Sequence, residues 1–176
     1  MLISYLSEHE DAAETRRYVE DAGRKAVLVS GDLADRDHCH AIVARAMDAF
    51  GRIDIVVNNA AYQQRHDRID EIDAEEWEYT FRTNVHAMFY VTQAAWPHLR
   101  EGAVVINTTS IQAMKPSANL LPYATTKGAI VTFSKGLAQS LIPRGIRVNT
   151  VAPGPVWTPL VVQSFSADKT SGFGED

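Results

Sequence analysis

Short β-branched apolar runs alternate along the chain with longer stretches whose apolar residues recur at helical spacing. Leu2-Ile3-Ser4-Tyr5-Leu6 reads as a first strand. A helix over about 11–22 follows, with acidic residues early, Arg16 and Arg17 within, and Gly23 as a left-handed stop. Ala26-Val27-Leu28-Val29 is a second buried strand, followed by Gly31-Asp32-Leu33. Over 35–50 the apolar positions Ile42, Val43, Ala46, Met47 and Phe50 line one face of a helix that Gly51 closes. A third strand spans 53–57, and the polar, charged stretch 63–73 reads as a surface loop. Trp77, Phe81, Val85, Met88 and Thr92 form a packing stripe on a long helix expected over about 74–99, with the amide of Asn84 beside it. Val104-Val105-Ile106 is a fourth strand. Helix resumes from about Pro122 to Leu141, is broken by Pro143, and gives way to a fifth strand over 146–151. The Ser-, Gly- and Asp-rich end, 161–176, is expected to be a mobile tail. Strands alternating with helices predict one α/β domain over 1–176: a parallel sheet joined by right-handed crossovers and covered by helices on both faces.

Composition narrows the function. At 176 residues, 45% hydrophobic and 22% charged, the chain has material for one globular core. A net charge of −5 and a pI near 5.7 argue against nucleic acid as a partner. No apolar run approaches the roughly 18 residues of a membrane span, and the opening does not read as a signal peptide. A single cysteine, Cys39, excludes an internal disulfide and suits a reducing cytoplasmic setting. The six histidines show no metal-ligand spacing with it, so no metal is predicted.

The chemistry concentrates between Val104 and Lys127. The fourth strand delivers Ser110 to its carboxyl end, and Tyr123 and Lys127, four apart on the next helix, lie on one face with β-carbons roughly 6 Å apart. A phenol with an ordinary pKa of about 10 transfers protons poorly near neutrality, whereas an adjacent ammonium favours phenolate. The spacing therefore predicts that Lys127 pulls Tyr123 down into working range, with Ser110 reaching the same substrate oxygen. Asn58-Asn59-Ala60-Ala61 falls at the carboxyl end of the third strand, where open parallel sheets bind ligands; a plain polar turn explains it equally well in isolation.

Taken together, Asp32-Leu33, Asn58-Asn59-Ala60-Ala61, Asn84 within T-N-V-H-A-M-F, Ser110, Tyr123-Ala-Thr-Thr-Lys127 and the run from Arg147 to Gly154 make the chain resemble the short-chain dehydrogenase/reductase family over nearly its whole length. The resemblance implies a Rossmann-like fold and hydride transfer between NAD(P) and an alcohol or carbonyl substrate. It implies Tyr123 as general acid/base, Lys127 lowering its pKa and holding the nicotinamide ribose, and Ser110 orienting the substrate oxygen. Asn84 would support a water linking Lys127 to solvent. Asp32, with Leu33, would meet the adenine, and Asn58, Ala60 and Ala61 the adenosine ribose. Pro153, Gly154 and Val156 would flank the nicotinamide, with Thr158 bonding its carboxamide.

Two departures stand out. Ala61 occupies a position where the family usually has glycine. Moreover, the family's first unit, a strand with a glycine-rich turn and a helix that holds the pyrophosphate, is not in the sequence: no G-x-x-x-G-x-G occurs, and the family's last strand and the helix before it are missing too. Because that first strand belongs at the centre of the sheet, five strands are expected, with the first two lacking a neighbour toward the other three. This favours a second reading, a truncated non-catalytic remnant or dimerisation module, since the helices over 74–99 and 122–141 pack between subunits in the family. A homodimer or homotetramer is implied for the longer form. The cofactor is NAD or NADP; no acid follows the first strand closely, Glu8 coming slightly late, which leans toward NADP. Gln64, His66, Gln112, Trp157 and Leu160 are pocket candidates that serve equally as surface or packing residues.

Overall fold

The structure is a computed structural model that describes residues 1–156 and 158–160. The expected mobile tail over 161–176 and the pocket candidate Trp157 lie outside the described residues.

Strand β1 (Leu2–Tyr5) leads into helix α1 (His9–Asp21), then β2 (Val27–Ser30), α2 (Arg36–Phe50) and β3 (Ile53–Asn58). Helix α3 (Ala74–Phe81) passes through a π turn, Arg82–His86, into α4 (Ala87–Ala95). Then come β4 (Leu99–Thr108), α5 (Leu121–Leu141) and β5 (Arg147–Val151). Local chemistry sets several boundaries. The Asp35 and Asp73 carboxylates accept from the Asp37 and Glu76 backbone N–H groups, capping α2 and α3. Gly51, at φ 68°, ends α2 in the left-handed conformation that glycine adopts without strain.

The strands pair in parallel as two separate sheets, β1 with β2 and β3-β4-β5 with β4 central. No ladder joins β1 to β3, in agreement with the expected missing neighbour. Helix α2 bridges the interruption, packing on β1, β2 and β3 and also against α4. Its Ile42 and Val43 join Val56, Ala95, Leu99, Ala103, Val105, Leu141 and Ile146 in one core, with Leu2, Val29 and Val148 partly buried against it. Strand alternation sends Val56 and Val105 into this core. Ile55 and Val57 point the opposite way and are 62% and 58% exposed, so the second face of β3 is bare among the described residues.

The long helix expected over 74–99 differs in two respects. It contains the π turn, and it stops before Leu99, which begins β4 by pairing with Ile53 and is fully buried. Pro97 sits in a short 3-10 turn, Trp96–His98, that separates helix from strand. No helix among the described residues is long and apolar enough to cross a membrane.

Candidate active site

The site is assembled where β4 ends, α5 begins and the π turn passes. Ser110 lies in extended conformation just beyond β4, and its hydroxyl accepts from the Gln112 N–H at 3.2 Å, capping the turn Ile111–Ala113. Tyr123 and Lys127 occupy the first turns of α5, whose Pro122 suits the start of a helix. Asn84, Ser110, Tyr123 and Lys127 are all buried, Lys127 to 1% exposure. The end of β5 is drawn to the same place: Thr109 N donates to Val151 O at 2.8 Å and Ile111 N to Pro153 O at 3.1 Å. Thr109 Oγ1 donates to the Lys127 carbonyl at 2.8 Å, pinning α5 to the strand end.

The electrostatics differ from the sequence expectation. Lys127 Nζ donates to the Thr108 carbonyl at 2.8 Å and sits 5.2 Å from the centre of the Tyr123 ring. Burial pushes the Lys127 ammonium down to about 8, since a charge there has lost its water. Burial also pushes the Tyr123 phenol up from its ordinary value, and the group that draws it back is the Ser110 hydroxyl. The predicted lowering of Tyr123 by Lys127 is therefore corrected: the ammonium is committed to a backbone carbonyl and lies over the ring rather than at its oxygen.

Asn84, expected to support a water, uses its amide on protein partners. Its Oδ1 accepts from Tyr62 N at 2.7 Å, and its Nδ2 donates to Tyr62 O at 2.9 Å and to Thr126 Oγ1 at 3.0 Å. The extra residue of the π turn sits at this position, as such bulges often do at functional sites. Asn58, expected at the adenosine ribose, turns its side chain inward: Nδ2 donates to Asn107 Oδ1 at 2.8 Å and to Thr92 Oγ1 at 3.3 Å. Asn107 Nδ2 continues to Ser134 Oγ at 2.8 Å, giving a polar tie from α4 through β3 and β4 to α5. Ala60 and Ala61 follow β3 at the surface edge of the site.

Asp32 and Leu33 follow β2, on the other sheet. Asp32 Oδ1 accepts from Ala34 N at 2.8 Å, and the Leu33 carbonyl accepts from Cys39 Sγ at 3.2 Å. Pro153, Gly154, exposed Val156 and half-buried Thr158 follow β5. Of the pocket candidates, Gln112 is spent on Ser117 through both amide atoms, His66 is paired with Glu76, Gln64 is exposed and Leu160 is half-buried. Thr109, Thr126, Asn107 and Tyr62 were not singled out by the sequence. The polar run Asn107-Thr-Thr-Ser110 ending an apolar strand is the signal that points to two of them.

A nucleotide cofactor fits part of this arrangement. Tyr123, Lys127 and the strand-end residues Pro153 and Gly154 suit its nicotinamide ribose end, and a Cβ added at Gly154 would meet nothing within 4 Å. For a pyrophosphate, no strand with a glycine-rich turn stands between β1 and β3 among the described residues.

Parallel strands alternating with helices, with serine, tyrosine and lysine gathered at the strand ends, define a Rossmann-like architecture. Residues 1–173 match the family model described as Enoyl-(Acyl carrier protein) reductase, and the chain belongs to this short-chain dehydrogenase/reductase family. It is 49% identical over 176 residues to the uncharacterized oxidoreductase YhxC of Bacillus subtilis (strain 168), covering 100% of this chain and 62% of that protein. It is 46% identical over 173 residues to glucose and ribitol dehydrogenase of Daucus carota, covering 96% of this chain and 60% of that one. The chain thus spans about three fifths of the curated relatives it matches. A short-chain dehydrogenase from Burkholderia cenocepacia J2315, solved in complex with NADP, superposes with a TM-score of 0.87 at 36% identity, over 90% of this chain and 65% of that one.

Proposed function

We propose that the chain carries the catalytic half of an NAD(P)-dependent alcohol/carbonyl oxidoreductase in which Tyr123 is the general acid/base. The observation that carries this is the joint burial of Ser110, Tyr123 and Lys127 around one strand end, with the Ser110 hydroxyl drawing the phenol's pKa down against the effect of burial. In reduction, the Tyr123 O–H gives its proton to the oxygen of the carbonyl as negative charge builds there; in oxidation, the phenolate takes the proton from the alcohol. Ser110 donates to the same oxygen and holds it in line. A bound nicotinamide cofactor supplies the hydride chemistry at its C4. Lys127, close to half-protonated near pH 8, releases Thr108 O to bond the nicotinamide ribose and pass protons onward. Pro153, Gly154 and Val156 border the nicotinamide, Thr158 bonds its carboxamide, and Asp32 with Leu33 lies toward the adenine. The NADP of the Burkholderia structure supports NADP over NAD. The substrate is a small alcohol or carbonyl compound, a class that includes what the carrot relative's name describes.

A second reading, a non-catalytic remnant or association module, is favoured by the interrupted sheet and the lack of a phosphate cradle among the described residues. Phe89 on α4 and Trp96 in the turn that follows it are exposed, and Phe89 meets Phe133 of α5 edge to face at 6.5 Å, a surface suited to packing on a second copy in a dimer or tetramer. The purified chain with NADPH and a panel of aldehydes decides between the two. Absorbance loss at 340 nm that disappears in Tyr123→Phe establishes the enzyme. No turnover, together with no calorimetric binding of either cofactor, establishes the remnant.

A further inference from the structure

Between β3 and α3 the chain follows a long loop, 59–73, whose anchoring the catalytic reading does not use. Its first fixed point is Tyr62, whose backbone N–H and C=O are both held by the Asn84 amide, and Asn84 in turn donates to Thr126, the neighbour of Lys127. The Tyr62 ring stands edge to face on Tyr79 of α3, centres 5.0 Å apart. The second fixed point is His66. Its Nε2 lies 2.8 and 2.7 Å from the two carboxylate oxygens of Glu76 on α3, and both side chains are about 15% exposed, so water competes little for the contact. The His66 backbone N–H donates to the Asn119 carbonyl at 3.1 Å, four residues before Tyr123. Glu76 is itself fixed, because its N–H caps on Asp73. The Glu76 carboxylate also contributes, after burial, to raising the Tyr62 phenol, which places it beside that ring as well.

We infer that the His66–Glu76 pair is a fastening that holds loop 59–73 against the start of α5, making His66 a positioning residue for the substrate side of the Tyr123 site. The inference rests on the catalytic reading for its consequence in turnover but not for its geometry. Without the pair, Asn119 loses a partner whose position α3 had fixed, and the segment leading into Tyr123 keeps its own turn and the Gln112 amide at Ser117, two residues before Asn119. Gln at position 66 retains an N–H donor of similar reach, so it can replace histidine where Ala cannot.

The test uses the full chain and two readouts. In hydrogen exchange, His66→Ala and Glu76→Ala are expected to speed amide exchange at least tenfold both in 62–67 and in 118–123, with the central strand β4 unaffected; His66→Gln is expected to restore protection. Acceleration limited to 62–76, with 118–123 as slow as in the parent, overturns the inference, whether or not the chain turns over. Where turnover is measurable, the Ala variants are expected to raise KM about tenfold with kcat within twofold, and the Gln variant to recover it. A fall in kcat at unchanged KM also overturns the inference. Equal melting of His66→Gln and parent checks that the Gln variant is folded.

Discussion

In the β3-β4-β5 sheet the central strand is hydrogen-bonded on both sides, and its buried amide, Asn107, links β3 to α5. The β1-β2 sheet has two strands of four residues, no residue in the fully buried core, and only Leu2 and Val29 packed against it. Buried polar atoms divide less cleanly. Ser4 Oγ on β1, the Nε2 atoms of His38 and His40 on α2 and Thr83 Oγ1 in the π turn have no hydrogen-bond partner among the described residues, whereas Asn58, Asn107, Thr109 and Ser134 at the three-stranded sheet are bonded. Every residue proposed for proton transfer lies beside the three-stranded sheet. The contrast teaches that the residues proposed for proton transfer are held by the three-stranded sheet, while the smaller sheet, joined to it through α2, carries only the adenine-side candidates.

The largest effect expected from this division is on activity. Tyr123→Phe removes the only proposed proton carrier at the substrate oxygen and should lower turnover by about 10²- to 10⁴-fold, measured at 340 nm. Asp32→Ala, on the smaller sheet, should act on cofactor binding and leave kcat nearly unchanged at saturation. A comparable kcat loss from both changes would erase the distinction.

Next comes stability. Leu141→Ala, at a fully buried position, should cost about 2–5 kcal/mol. Leu2→Ala, at a half-buried position, should cost about 1 kcal/mol, since less apolar area returns to water. Urea unfolding gives both. Equal losses would mean that β1 is as integral to the fold as α5.

The elements of this division were legible in the sequence to different depths. Strand and helix alternation and the Gly51 stop follow from local chemistry and from the order of parts, whereas the interrupted sheet was legible only through the family resemblance, which places the missing strand at its centre. The π turn did not show, because nothing near Asn84 in the chain requires it; its amide is satisfied by Tyr62 and Thr126, 22 and 42 positions away. Leu99 continues a helical pattern and became strand through pairing with Ile53, a tertiary choice overriding local preference. Helical spacing put Lys127 beside Tyr123, but the Thr108 carbonyl that captures its ammonium comes from the strand, so the direction of the tyrosine's shift was beyond reach of spacing. Asn58 reads identically in sequence whether it faces ligand or sheet; only Asn107 opposite it decides.

A smaller effect sharpens the comparison through pH. Lys127 has its pKa lowered from 10.5 to about 8 by burial, so between these values the unfolded chain binds the proton and the folded chain does not. The penalty of burying an ammonium is fully present below about pH 8. It is relieved as pH rises, and unfolding free energy should climb from this group by on the order of 1 kcal/mol per pH unit between 8 and 10. Above about 10 the raised Tyr123 opposes the gain, because the unfolded phenol then ionises first. Lys127→Met should flatten the climb, as urea midpoints across this range would reveal; an unchanged slope would place the titration elsewhere.

The smallest expected effect addresses the hinge of the comparison, α2. Its Asp35 carboxylate accepts from Asp37 N at 2.8 Å, whereas α1 begins at Glu8 with no side-chain cap. Asp35→Ala should therefore cost about 1 kcal/mol. Because α2 is the element packed on both sheets, the loss should appear as faster hydrogen exchange in β1 and β2 before it appears in β4. Simultaneous acceleration in all three strands would show that the two sheets open as one unit, and that the division drawn from their packing has no counterpart in their motion.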